Sequence, residues 1–204
     1  MNNSVEKTSV LDLLDGMQVK ETYEDGTLYE LTAAGRDGIG DAYCYQIYVP
    51  NSYDENTPVH AFMHGYTGQT REYRNDFEPF TNSLRNGIGE DSILILYDGF
   101  NAEPDGTTLN NLLEVSTYQP LEKLGISTEN IMFEGFSVGG KTALKLTAQH
   151  VINNPDLPPQ VIATYNPTCL HDVDAGLKES EIQALVDNHS TLIVFDGTED
   201  PETN

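Results

Sequence analysis

Residues 130 to 140 read NIMFEGFSVGG, and within them Gly135-Phe136-Ser137-Val138-Gly139 forms a G-x-S-x-G pentad. A serine with glycine two positions away on both sides suits a sharp turn between a strand and a helix, because both flanking positions must be small for the two elements to approach. Lifted above such a turn, the Ser137 hydroxyl is placed for nucleophilic acyl transfer, and the first amide of the helix, that of Val138, faces the oxygen on which negative charge develops. The pentad alone recurs by chance. The apolar run before it and the amphipathic stretch after it supply the context that the chemistry requires.

Two further segments fit the same chemistry. His64-Gly65-Tyr66-Thr67-Gly68 follows an earlier apolar run, and its glycines let a loop fold close to a substrate, with the amide of Tyr66 as a second oxyanion donor. His64 itself reads as a residue that braces this loop; with Gly65 and Phe136 it is a candidate for the substrate-facing surface. Near the other end, FDGTEDP at 195–201 follows the last apolar run. An aspartate just beyond a parallel strand is placed to orient an imidazole, and Asp200 is the candidate, with Asp196 and Glu199 as alternatives.

These residues need a scaffold that brings the ends of distant strands together. Near-continuous apolar runs occur at VHAFM 59–63, SILILY 92–97, NIMF 130–133, QVIATY 160–165 and TLIVF 191–195. Their separation is that of strand–helix–strand units, and their composition suits strands buried on both faces. Helices are expected at about 70–86, 109–124, 139–153 and 173–188, the third stopped by Asn153, Asn154 and Pro155. Ahead of them, 22–32 centred on Asp25-Gly26 reads as a hairpin with a tight turn, and AYCYQIYV 42–49 as a strand ended by Pro50. The expectation is an α/β fold: a doubly wound, mostly parallel sheet with an antiparallel N-terminal hairpin. No repeat or low-complexity tract divides the chain, so one domain is expected over 1–204, with 1–20 as an extension and the core at about 21–204.

Composition narrows the partners. Lys plus Arg number 10 against 33 Asp plus Glu, a net charge of −23, which makes nucleic acid and anionic membrane poor partners. No stretch approaches a membrane span and no basic, apolar leader opens the chain, so a cytoplasmic protein is expected. Cys44 and Cys169 have no metal-ligand spacing and read as two thiols in a reducing compartment. No nucleotide or metal motif occurs: GRDGIG at 35–40 lacks a strand–helix context and reads as a loop between antiparallel strands. Neither a metal nor another cofactor is expected.

HGYTG at 64–68, YDGF at 97–100, LGISTENIMFEGFSVGG at 124–140 and GTEDP at 197–201 together resemble the α/β-hydrolase superfamily, and within it esterases similar to feruloyl esterases and polyester depolymerases. The resemblance runs from about residue 20 to the last residue. It implies Ser137 as nucleophile, Asp200 as the acid of a triad, Tyr66 and Val138 as oxyanion donors, and a small-molecule carboxylic ester as substrate.

The sequence departs from the family at the general base. In the family a histidine follows one further strand beyond the acid, whereas this sequence stops at Asn204, four residues after Asp200. Serine without an imidazole is a poor nucleophile, since its hydroxyl ionises far above neutral pH. His60 and His189 stand just before strands and His150 near the far end of a helix, so they belong at the opposite edge of the sheet. His64 and His171 belong on the catalytic side, and His171 is the candidate base within the chain. Two readings follow: a serine hydrolase acting through an acyl-enzyme on Ser137, truncated before its base or using His171, or a hydrolase-like binding module without turnover. A truncation would leave 191–195 as an exposed apolar edge, open to pairing with a second copy.

Overall fold

The computed structural model describes residues 10, 14, 16–31, 43–64, 91–98, 109–165 and 177–195. Its centre is a single eight-stranded sheet in the order β1-β2-β3-β5-β4-β6-β7-β8. The strands are β1 (Met17–Thr22), β2 (Gly26–Leu31), β3 (Tyr43–Pro50), β4 (Val59–Met63), β5 (Ile93–Asp98), β6 (Ile131–Phe136), β7 (Val161–Tyr165) and β8 (Thr191–Phe195). β1, β2 and β3 run antiparallel to their neighbours, and β5, β4, β6, β7 and β8 are mutually parallel. The mostly parallel sheet with an antiparallel start is therefore present, and each apolar run of the sequence contributes a strand.

Parallel strands need crossovers, and the sequence supplies helices for them. A π-helical segment (Asn111–Tyr118) runs directly into α1 (Gln119–Leu124), α2 spans Val138–Asn153 and α3 spans Glu179–Asp187. α2 stops where expected: the Asn154 amide bonds the carbonyls of His150 at 3.1 Å and Val151 at 3.2 Å, and its side chain adds a bond to the His150 carbonyl at 3.0 Å. α3 begins later than the sequence pattern suggested, because Glu181 reaches back to the Lys178 amide at 2.7 Å and fixes the start there. The helix expected at 70–86 lies outside the described residues.

Alternation along the strands sorts side chains onto two faces. Val59, Ala61, Met63, Ile131, Phe133 and Ile162 join Leu112, Leu113, Leu121, Ala143, Leu144 and Leu146 of the helices in the larger core. Leu28, Tyr48, Phe62, Leu94 and Leu96 form a second buried cluster, with Tyr23 and Tyr165 packed against it. Both faces of the central strands are thus buried, which is why their sequences lack a polar alternation.

The hairpin differs in detail from its sequence reading. β1 begins at Met17, so Met17, Gln18 and Val19 pair with Leu31, Glu30 and Tyr29 of β2, ahead of a register shift between Val19 and Glu21. Neither Asp25 nor Gly26 adopts a positive φ; the Tyr23 amide donates to the Gly26 carbonyl at 2.8 Å, so the turn is centred one residue earlier, on Glu24 and Asp25. Gly26 is required for space: a Cβ there would lie 2.5 Å from the Tyr48 hydroxyl and 2.6 Å from the Val49 carbonyl. Cys44 lies in β3, while Cys169 and 35–40 fall outside the described residues.

Candidate active site

Ser137 stands alone between the end of β6 and the start of α2, at φ 55° and ψ −119°. A positive φ on a residue with a Cβ stores about 1–3 kcal/mol and persists only where its surroundings enforce it. Here the Ser137 amide donates to the Tyr165 carbonyl of β7 at 2.9 Å, and the Ser137 carbonyl accepts from the Gly140 amide at 3.0 Å. The two glycines have separate steric reasons. A Cβ on Gly135 would lie 2.2 Å from the backbone C and O of Gly139, and one on Gly139 would lie 2.2 Å from the Met63 carbonyl oxygen and 2.5 Å from that of His64. The first turn of α2 is therefore wedged between its own strand and the end of β4, and the serine between them is pushed up over the carboxyl edge of a parallel sheet. The result is a sharp strand–turn–helix elbow on a mostly parallel α/β sheet.

The strand order sets where the remaining candidates depart. Val138 opens α2, whose first amides have no acceptor within the helix. Phe136 ends β6 and is 44% exposed beside Ser137, while His64 is buried just past β4. Gly65, Tyr66, His171 and Asp200 lie outside the described residues, as do Asp196, Glu199, Phe100 and 101–108. The strands they follow are described: β4, β6, β7 and β8 are parallel neighbours, so the segments after Met63, Phe136, Tyr165 and Phe195 all leave from the edge that carries Ser137.

The other histidines sit away from that edge. His60 lies within β4 rather than ahead of it, level with Met132 of β6. His150 is fully buried in α2, its Nδ1 bonded to the Tyr118 hydroxyl, and burial pulls its pKa down to about 4. His189 takes φ 60° in the turn before β8. A cleft of about 460 Å³ bordered by Pro58, His60, Asn130 and Gln160 opens at the amino ends of β4, β6 and β7, across the sheet from Ser137.

Sequence reasoning passed over a polar cluster beneath the elbow. Glu134, three residues before Ser137, is buried; one carboxylate oxygen bonds His60 Nδ1 and the other accepts from the Tyr165 hydroxyl at 3.1 Å. Burial, reinforced by the adjacent Glu134 carboxylate, pushes the Tyr165 hydroxyl up to about 12, so it remains a donor. The signal was present: Glu134 is a charged residue inside an otherwise apolar strand, where an isolated carboxylate would be costly to bury.

Neither a protein-family sequence profile nor a curated protein sequence matches the chain. Among solved structures it is similar to carboxyl esterase 2 of the mycorrhizal fungus Tuber melanosporum, at 19% identity and TM-score 0.42, covering 88% of this chain and 58% of that one. It is also similar to a bacterial heroin esterase, at 17% identity and TM-score 0.44, covering 98% of this chain and 61% of that one. A third is esterase LipW of Mycobacterium marinum, at 12% identity and TM-score 0.45, covering 74% of this chain and 67% of that one. This chain thus spans about three fifths of the length of the first two. Among the described residues no helix is long and apolar enough to cross a membrane, and no group of three or more His, Cys, Asp or Glu is placed to hold a metal ion.

Proposed function

We propose that this protein is a serine hydrolase of carboxylic esters, working through an acyl-enzyme on Ser137. The observation that carries the reading is the backbone of Ser137 itself: a strained, non-glycine positive φ, locked by Tyr165, Gly135 and Gly139, at the amino end of a sixteen-residue helix. Strain of this kind is kept where a side chain must be presented in one orientation.

In the proposed reaction the Ser137 hydroxyl attacks the ester carbonyl carbon while its proton passes to an imidazole. His171, in the segment after β7, is the base in this reading, and Asp200, in the segment after β8, orients it. The tetrahedral oxyanion is held by the amides of Val138 and Tyr66 and by the positive end of α2. Collapse expels the alcohol, which takes the proton from the imidazole; water then attacks the acyl-serine with the same imidazole as base, and the acyl–Oγ bond breaks to release the acid as the imidazole returns the proton to Ser137. Phe136, together with His64 and Gly65, borders the acyl site. The substrate is a small-molecule ester, and no cofactor takes part.

Hydrolysis of p-nitrophenyl acetate and butyrate by the wild type and by Ser137→Ala tests this. The expected result is turnover above the solvent rate that Ser137→Ala removes. Turnover that survives in Ser137→Ala would refute Ser137 as the nucleophile, and its absence from the wild type would favour a binding module instead.

A further inference from the structure

The polar cluster under the elbow meets Ser137 through one residue. Tyr165 ends β7; its carbonyl accepts the Ser137 amide at 2.9 Å, and its hydroxyl donates to Glu134 at 3.1 Å, so the same residue holds β6 at Glu134 and the turn at Ser137. Glu134 is in turn bonded to His60 on the far neighbour, β4. On its other side the Tyr165 ring is stacked on Phe195, the last residue of β8, with centroids 4.8 Å apart and planes 7° from parallel. The ring therefore bridges the strand that presents the nucleophile and the strand that leads to Asp200.

We propose that Tyr165 is a positioning residue for Ser137: its Glu134-anchored hydroxyl and its stack on Phe195 fix the height of its own carbonyl, and through it the elbow, relative to β8. This rests on Ser137 being the nucleophile. The hydroxyl bond spans two strands that already pair in register at Phe136 and Tyr165. Loss of the bond leaves the sheet intact and loosens the last residue of β7, to which the strained turn is tied. Misplacement of a nucleophile by a fraction of an ångström slows reaction without weakening binding.

The test is the rate of labelling by an alkyl fluorophosphonate at a temperature where circular dichroism shows all variants folded. Tyr165→Phe keeps the ring stack and removes the donor; the expected result is a maximal labelling rate at least about tenfold lower, with the half-saturating probe concentration unchanged. Glu134→Gln, which retains an oxygen acceptor for the Tyr165 hydroxyl, stays within about threefold of the wild type, and Glu134→Leu matches Tyr165→Phe. Labelling of Tyr165→Phe at the wild-type rate overturns the proposal, whatever happens to its melting temperature. If Tyr165→Phe does not fold, the Glu134 pair decides: equal rates in Glu134→Gln and Glu134→Leu overturn it. Failure of the wild type to label refutes the reading of Ser137, a different result from either.

Discussion

If Ser137 is strained by the fold, then removing its Cβ must stabilise the protein while destroying its chemistry. Ser137→Ala and Ser137→Gly both lack the hydroxyl, so their difference isolates the backbone. At φ 55° and ψ −119° the strain relieved by glycine is about 1–3 kcal/mol. Against this stands the greater freedom glycine loses on folding, roughly 0.5–1 kcal/mol. The net expectation is that Ser137→Gly is more stable than Ser137→Ala by about 1 kcal/mol at the middle of these ranges and by about 2.5 kcal/mol at most, a rise in Tm of roughly 2–4 °C and at most about 10 °C for a chain of this size. Calorimetry of the two variants, with urea unfolding to give ΔG at one temperature, measures it. An alanine variant as stable as the glycine variant, or more so, would refute the claim that the elbow stores strain.

Gly135→Ala forces a methyl into the backbone of Gly139, which cannot rotate away; a loss of about 3 kcal/mol, or roughly 6–12 °C in Tm, is expected by calorimetry. His150 carries a pH dependence of stability. Its folded pKa of about 4 lies below the ordinary 6.5, so the unfolded chain takes up the proton first; stability is intact above pH 6.5 and falls as pH drops toward 4, by roughly 3 kcal/mol in full. Paired His150→Leu and Tyr118→Phe substitutions, which leave no hydroxyl stranded, should flatten that part of the wild-type stability profile. At the sheet edge, Leu192, Ile193, Val194 and Phe195 are all about 40–50% exposed, and pairing of two copies along β8 would cover them. Light scattering is expected to show a dimer that Ile193→Lys returns to monomer; a monomeric wild type at high concentration contradicts this.

The fold was legible because each parallel strand carries a largely apolar run, and the elbow because a serine flanked by glycine two positions away on both sides suits a close approach of strand and helix. What the sequence concealed depends on contacts between strands. Asp25-Gly26 looks like a primed turn, yet Gly26 answers to Tyr48 across the sheet, an approach that local propensity does not encode. His60 appeared to precede a strand because VHAFM has no marker for its first paired residue. Tyr165 and Glu134 are far apart in the chain, and only the β6–β7 register brings phenol and carboxylate together. Tyr66, His171 and Asp200 lie outside the described residues.

The central claim is that Ser137 is the nucleophile of an acyl-transfer site. Reaction of the intact chain with a fluorophosphonate, followed by mass measurement and peptide mapping, tests it most directly. The account predicts one phosphonyl group per chain, carried by Ser137 and absent from Ser137→Ala. An unmodified wild-type chain, or a label on any other residue that persists in Ser137→Ala, would contradict it.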